Sequence, residues 1–570
     1  MPIRLPAPLL ALSFLTAATA SAQMPMTAAD SARHVLERLS YGGTPGEVEN
    51  VTRTGVMKWI DQQLGYSDVH DPALEDTERY YDVLRTPVAD MVAMQNDQQL
   101  KQQKAQAVAD STGREAALAA IRQEQQASKK GLQFLLAGLN AVTVVRAAES
   151  QRQLDEIMVD FWTNHFNVYE NKSQDRSYFA DYLERTIRGN ALGKFEDLLI
   201  ATARSPAMLF YLDNAQSVAA GTGVAGGRGR GGMVVRPGLG RGRAALFPPP
   251  RAGTYPPLGA GDPMDSASAE RARKAAANAP RGLNENYARE LMELHTLGVD
   301  GGYTQQDVIN VARILTGWTI DRKNGSFLFR PGAHDQGEKV VLGEVFPAGH
   351  GEDEGIRLLK MLATNPATIH HVSSQLCERF VADAAPDGCI DDAVHAWERT
   401  GGDIREVVRA IVRSPDFWAP ANVDSKVKTP LEFVISAMRA VDGVPDSTPR
   451  MAQQVGRLGE PLFQKQTPDG YGERQEDWVN SGALLARMNF AVALASGRMP
   501  GVTVDLDKLV PLTEDHVSLV SEVSDAVLGG AMTKQTRETI LKELADVPNA
   551  RAARALAVGF AIGGPEFQRQ

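Results

Sequence analysis

The sequence predicts an all-α protein: a multi-helix globular core with at most a small β-hairpin, interrupted by one long Gly/Arg/Pro-rich insertion expected to be disordered. Three observations predict it. Apolar residues recur mainly at the three- and four-residue spacing of a helix. Strand signals are scarce, the best being the short pieces 326–330 and 339–342. Between about Ser217 and Pro280 the composition changes.

Residues 1–22 read as a secretory signal. Arg4 gives a positive start, an apolar run follows over 9–18, and Ala20-Ser21-Ala22 offers a small-residue cleavage site. The run is too short to span about 30 Å of hydrocarbon. The expected location is therefore periplasmic or extracellular, with no transmembrane segment in the mature chain.

Residues 23–216 form the N-terminal helical half. Its 95–130 stretch, rich in Gln, Ala and Lys, suggests an exposed helical hairpin. Leu154, Ile157, Met158, Phe161 and His165 then fall on one helical stripe. The segment 198–206 (LLIATARSP) is echoed by 407–415 (VVRAIVRSP). Proline disfavours helical geometry at the residue before it, so both helices should stop at Arg-Ser-Pro. Duplicated halves and coincidence both explain the echo.

Residues 217–280 are the insertion. From Asp213 to Asp262 no acidic residue intervenes, while six arginines (Arg228, Arg230, Arg236, Arg241, Arg243, Arg251) stand among many glycines. Such a segment buries too little apolar area to offset its ordering entropy. Residues 281–570 complete the same core as its C-terminal helical half. There Thr304 with Asp307 three residues on predicts a capped helix that buries Val308, Val311, Ala312 and Leu315.

Charge and cysteine content narrow the function classes. The formal charge is −10 and becomes −11 once Arg4 leaves with the signal, which excludes nucleic acid as the expected partner, since phosphate neutralisation needs a basic surface. Cys377 and Cys389 are the only cysteines. A local disulfide and two buried thiols are equally open, and no CxxC pair suggests cysteine-bound zinc.

Several strings together carry a family resemblance: DFWTNHFNV (160–168), RSPAMLFYLDN (204–214), GLNENYARELMELHTLGVDGGYTQQDV (282–308), HDQGEKVVLG (334–343), NPATIHHVSSQLCERFV (365–381) and KVKTPLEFVISAMRA (426–440). On these the chain resembles the bacterial family catalogued as domain of unknown function 1800. The resemblance implies a secreted, helical bacterial protein and supplies no accepted catalytic residues. The insertion and both cysteines depart from the family pattern.

The chemistry-bearing residues lie in and around these strings. Glu285, between Asn284 and Asn286 at a helix start, is held where free backbone donors can bind a carboxylate or polar ligand; Arg289 and Glu293 follow at i+4 and i+8, a spacing that equally suits ion pairs. His295 and His165 both point partly at the core, where satisfied imidazoles are common. Glu285, His165, His295 and Asp335 are the candidate catalytic residues. Asn164, Asn284, Asn286, Arg289, Trp162 and Trp318 are the candidate substrate contacts, with Tyr471 and Trp478 as further aromatics able to stack on sugars. His334 and His350 are candidate metal ligands: if the 334–350 loops fold over the helices, His165, His295, His334, Asp335 and His350 would converge on a divalent metal. No HExxH, GxSxG or GxxxxGK[ST] is present. The expected activity is acid–base hydrolysis of an envelope or environmental glycan by two carboxylates, Glu285 with Asp307 or Asp335. The rival is a non-catalytic protein that binds a glycan or another exported protein.

Overall fold

The computed structural model describes residues 26–65, 69–128, 131–219, 282–547 and 549–570. The expected signal segment and nearly all of the insertion lie outside the described residues. Within them are 25 α-helices and three two-stranded antiparallel sheets, so the expected all-α architecture is observed.

The local rules that predict the helices are visible at their ends. Thr304 and Asp307 form a capping box on Gln305–Ile314, and Thr429 with Glu432 forms another on Pro430–Ala440. The two Arg-Ser-Pro helices stop where expected, Phe195–Arg204 and Ile404–Arg413, with Ser205 and Ser414 in extended geometry. Their starts lie side by side: Lys194 bridges to Asp403, Phe195 N donates to Gly402 O, and Ile404 N donates to Gly193 O. The exposed hairpin is Val88–Gln106 against Ser111–Ala127, tied by Lys101 to Glu124 at 2.8 Å.

The β content is small, as expected, and the two short pieces that carry the strand signals each form a separate two-stranded sheet. Ser326–Phe329 pairs with Trp318–Asp321, and Lys339–Val341 pairs with Glu344–Phe346. Each short piece finds its partner locally across a tight turn, because a turn residue near each (Gly325, Gly343) takes positive φ. A third pair, Val444–Pro445 with Val502–Thr503, joins distant segments.

One hydrophobic cluster runs through both halves. The helix Gln153–His165 lies within it, burying Leu154, Ile157, Met158, Phe161 and Trp162, so its polar residues Asp160, Thr163 and Asn164 are brought to the interior edge of the fold. The helix Leu132–Glu149 is long and apolar enough to cross a membrane by length and composition, but 61% of that window is buried inside the fold. Cys377 and Cys389 form a disulfide with Cα atoms 6.1 Å apart, joining Pro366–Phe380 to Asp387–Thr400.

Candidate functional site

The residues singled out in the sequence separate into three places. His165 and His295 do meet, with ring centres 6.2 Å apart and His165 Nε2 3.3 Å from the His295 carbonyl. His371 adjoins them: it bonds the Leu294 backbone and packs against Gly298, where a Cβ would stand 3.0 Å from its Nδ1. Burial pushes His165 and His295 down to about 3, so both are neutral imidazoles that join the 153–165 helix to Asn286–Glu293.

Glu285 precedes that second helix. Its carboxylate accepts from Gln305 Nε2 at 2.8 Å, Arg289 donates to the same Gln305 at 3.0 Å, and Asn284 bonds the Asp213 carbonyl. Asn286 reaches the Leu212 carbonyl at 3.4 Å. Asp307 is committed to its capping box and to the Leu342 N–H. These groups act as struts between neighbouring segments.

Asp335 forms a two-pronged pair with Arg313, 3.0 Å on each prong. His334 bonds the Thr316 carbonyl at 2.9 Å and lies 3.5 Å from Glu354, which Lys339 contacts at 2.6 Å. His350 is exposed on the turn before Glu352–Ala363. Two expectations are corrected here. Among the described residues no three His, Cys, Asp or Glu side chains come together as a metal ligand set; the expected convergence fails because His334 is taken up by the Thr316 and Glu354 contacts while His350 faces outward. Trp162 and Trp318 are 0% exposed, Trp162 giving its N–H to the Ala191 carbonyl and Trp318 lying against Gly355 and Phe327. Neither presents a face to a sugar. Trp478 and Tyr471 pack on each other at 5.9 Å and spend their polar atoms on the carbonyls of Gly472 and Pro461.

A different cluster has the features of a reaction centre. A chamber of about 40 Å³ is lined by Asp160, Thr163, Asn164, Asn167, Arg379, Glu460, Tyr471 and Glu473. The 153–165 helix supplies Asp160 and Asn164 one turn apart on one face. Pro366–Phe380 supplies Arg379. A strap over 461–473 closes the chamber and carries carboxylates at or beside its two ends, Glu473 and Glu460. The strap is held by side chains: Asn164 exchanges two bonds with Tyr471 (2.6 and 2.8 Å), Asn167 donates to the Lys465 and Thr467 carbonyls, and Tyr211 to Gln466. Gly470 has φ +72°, and a Cβ there would stand 2.5 Å from the Asn164 carbonyl oxygen, so the close approach requires glycine.

Two buried cations, Arg379 and Lys426, oppose the effect of burial on the carboxyls around the chamber. Arg379 pairs with Glu432, which also accepts from Gln570 and from the Thr429 N–H. Those partners outweigh burial and hold Glu432 down at about 2. The remaining carboxyls have no such partner. Burial pushes Asp160 up to about 7 and Glu460 well above the usual range, while Glu473 is raised less because Arg379 and Lys426 favour its charge. Asp160 carries no hydrogen bond among the described residues. Glu460 gives one oxygen to the Leu431 N–H at 2.8 Å, and Glu473 Oε2 is buried without a partner. Two unengaged carboxyls in unequal environments beside one guanidinium are suited to proton transfer.

Sequence reasoning named Asn164 but missed Asp160, Arg379, Glu460 and Glu473. Asp160 opens the string DFWTNHFNV and sits four residues before Asn164, a signal that was available. Glu460 and Glu473 lie in an aperiodic segment and gave none.

Comparison with known proteins gives one match, to the family model described as "Protein of unknown function (DUF1800)", over residues 34–569. No curated protein and no solved structure matches the chain. Since the match covers nearly all of the sequence, the chain belongs to the DUF1800 family.

Proposed function

We propose that the chain is an exported hydrolase that cleaves an envelope or environmental glycan by acid–base catalysis in the Arg379 chamber. The observation that carries this reading is the unbonded Asp160 carboxyl, titrating at about 7 beside Glu473 and Arg379. Asp160 is the proton donor to the leaving oxygen, since burial keeps it protonated close to neutral pH. Glu473 is the base or nucleophile, its charge favoured by Arg379 and Lys426. The chamber has room for a water beside them, and a glycan's scissile bond reaches it when the strap over 461–473 moves aside. The Cys377–Cys389 disulfide supports export, because such bonds persist in oxidising compartments.

The test is release of reducing ends from a polysaccharide panel by the purified mature protein, with Asp160→Asn, Glu473→Gln and Glu285→Gln alongside. Loss of about 10²- to 10⁴-fold is expected in the first two, with Glu285→Gln close to wild type. Full activity in Asp160→Asn, or no turnover on any polymer, would overturn the reading.

A second reading, a non-catalytic binding or assembly protein, is favoured by one observation: Asn164 and Asn167 spend their amides on the strap, and a space of about 40 Å³ does not admit a sugar ring without strap movement. Under it, Asp160→Asn changes thermal stability and nothing else.

A further inference from the structure

The largest cavity described, about 1130 Å³, lies away from the Arg379 chamber. One wall is the pair of helices Glu47–Thr54 and Val56–Leu64, joined at Gly55. The second wall is the turn 148–153, and the third is 439–444 at the end of Pro430–Ala440. Its size suits a ligand larger than most small molecules.

The walls are fastened to one another by buried polar side chains. Gln63 donates to the Gln151 carbonyl at 3.0 Å and accepts from the Leu154 N–H at 3.2 Å. Gln153 accepts from the Tyr41 N–H at 3.1 Å. Arg439 spans the Gly42 carbonyl, the Ala148 carbonyl and Glu47. The cleft is therefore formed before any ligand arrives, which lowers the cost of binding.

What faces the cleft then decides the ligand. Glu47 is neutralised by Arg439, and Asp61 by Arg409. Trp59 is 7% exposed, lines the cleft, and has no hydrogen bond on its indole N–H among the described residues. The exposed amides of Gln62 and Gln151 stand beside it. Lys58 on one wall is set against Glu149 and Asp442 on the others, which leaves at most one uncompensated carboxylate. A polyanion or polycation gains little there, and an acyl chain would desolvate the amides without replacing their bonds. A chain of hydroxyls and ether oxygens satisfies donors and acceptors together.

We infer that this cleft binds an uncharged oligosaccharide, with the Trp59 N–H and the Gln62 and Gln151 amides as its hydrogen-bonding groups. The inference rests on the glycan reading for its biological setting and names the subsite that reading lacks. One helix serves both places: Gln153 lines the cleft, and Asp160, seven residues on, lines the chamber about 10 Å further along the axis.

The experiment is isothermal titration of the full mature chain with cellohexaose, maltohexaose and chitohexaose. Wild type, Trp59→Phe, Gln62→Ala and Glu285→Gln are compared, with thermal melts confirming that each is folded. Trp59→Phe keeps an aromatic ring at the position and removes the N–H together with the rest of the pyrrole ring. Saturable binding of at least one hexasaccharide is expected, weakened about 5- to 10-fold in Trp59→Phe and in Gln62→Ala, in line with one lost hydrogen bond each, and unchanged in Glu285→Gln. No heat from any hexasaccharide, or binding that ignores both cleft substitutions, overturns the cleft. Binding as expected without bond cleavage upholds it while overturning the hydrolase; cleavage that ignores the cleft substitutions does the reverse.

Discussion

At the scale of single residues, Arg379 organises the interior edge of the fold. It is 3% exposed, it pairs with Glu432, and its charge is felt by Asp160 and Glu473. Replacing it with Met would leave the buried Glu432 with amide and backbone donors and the charges of Arg38 and Arg487, but without its direct ion-pair partner. Removing one partner of a buried pair typically costs about 3–5 kcal/mol, so Arg379→Met should lower the denaturant midpoint at pH 7 by a corresponding amount. Glu285 is the contrast. Its side chain is 18% exposed and held chiefly by Gln305, so Glu285→Gln, which keeps a hydrogen-bonding group, should cost well under that. The sequence could rank neither residue correctly. Glu285 stands out by its neighbours Asn284 and Asn286, whereas Arg379 looks like any basic residue in a helix's last turn until the fold places Glu432 against it from fifty residues away.

At the scale of elements, helices were legible and the site was not, for a physical reason. Helical stripes and caps are written within one turn of sequence, and Thr304 with Asp307 or Thr429 with Glu432 can be read without tertiary information. The chamber instead needs Pro366–Phe380, Gln153–His165 and the strap together, and the strap has no period to read. Its geometry depends on Asn164, whose role was legible only as a polar residue in an aromatic string. The disulfide belongs to this scale too. Spacing left Cys377 and Cys389 undecided, and the packing of Pro366–Phe380 on Asp387–Thr400 decides it. Closing so short a loop stabilises by about 2–4 kcal/mol in the chain-entropy account. The double substitution Cys377→Ser with Cys389→Ser should lower the melting temperature measurably, and reductant should produce the same loss in wild type but none in the double variant.

At the scale of the whole molecule, buried titratable groups set how stability depends on pH. His34, His165 and His295 are pushed down by burial to about 4, 3 and 3. Their folded pKa values lie below the unfolded value of about 6.5, so the unfolded chain takes up protons that the native state refuses, and stability falls as pH drops below about 6.5. Burial acts oppositely on carboxyls: Asp155, Asp160 and Glu170 rise to about 7 and Asp175 to about 9. There the native state holds protons the unfolded chain releases above about 4, so their stabilising contribution is complete at acid pH and is lost as pH climbs through 7 and, for Asp175, through 9. Between about pH 5 and 6 the two sets oppose each other, with these four carboxyls against these three histidines; between about 6.5 and 7 the carboxyls act alone, and above 7 only Asp175 does. Each unbalanced proton changes stability by about 1.4 kcal/mol per pH unit, so the melting temperature should be higher at pH 5 than at pH 8. Below about 4, protonation of the histidines and of Glu432, held at about 2, should bring it down again. Scanning calorimetry from pH 3 to 9 reads this directly. A melting temperature at pH 8 equal to or above that at pH 5 would mean that Asp155, Asp160, Glu170 and Asp175 are not held protonated in the native state. Asp160→Asn supplies the internal control, because removing one of the four carboxyls should flatten the decline between pH 5 and 8 while leaving the acid side unchanged.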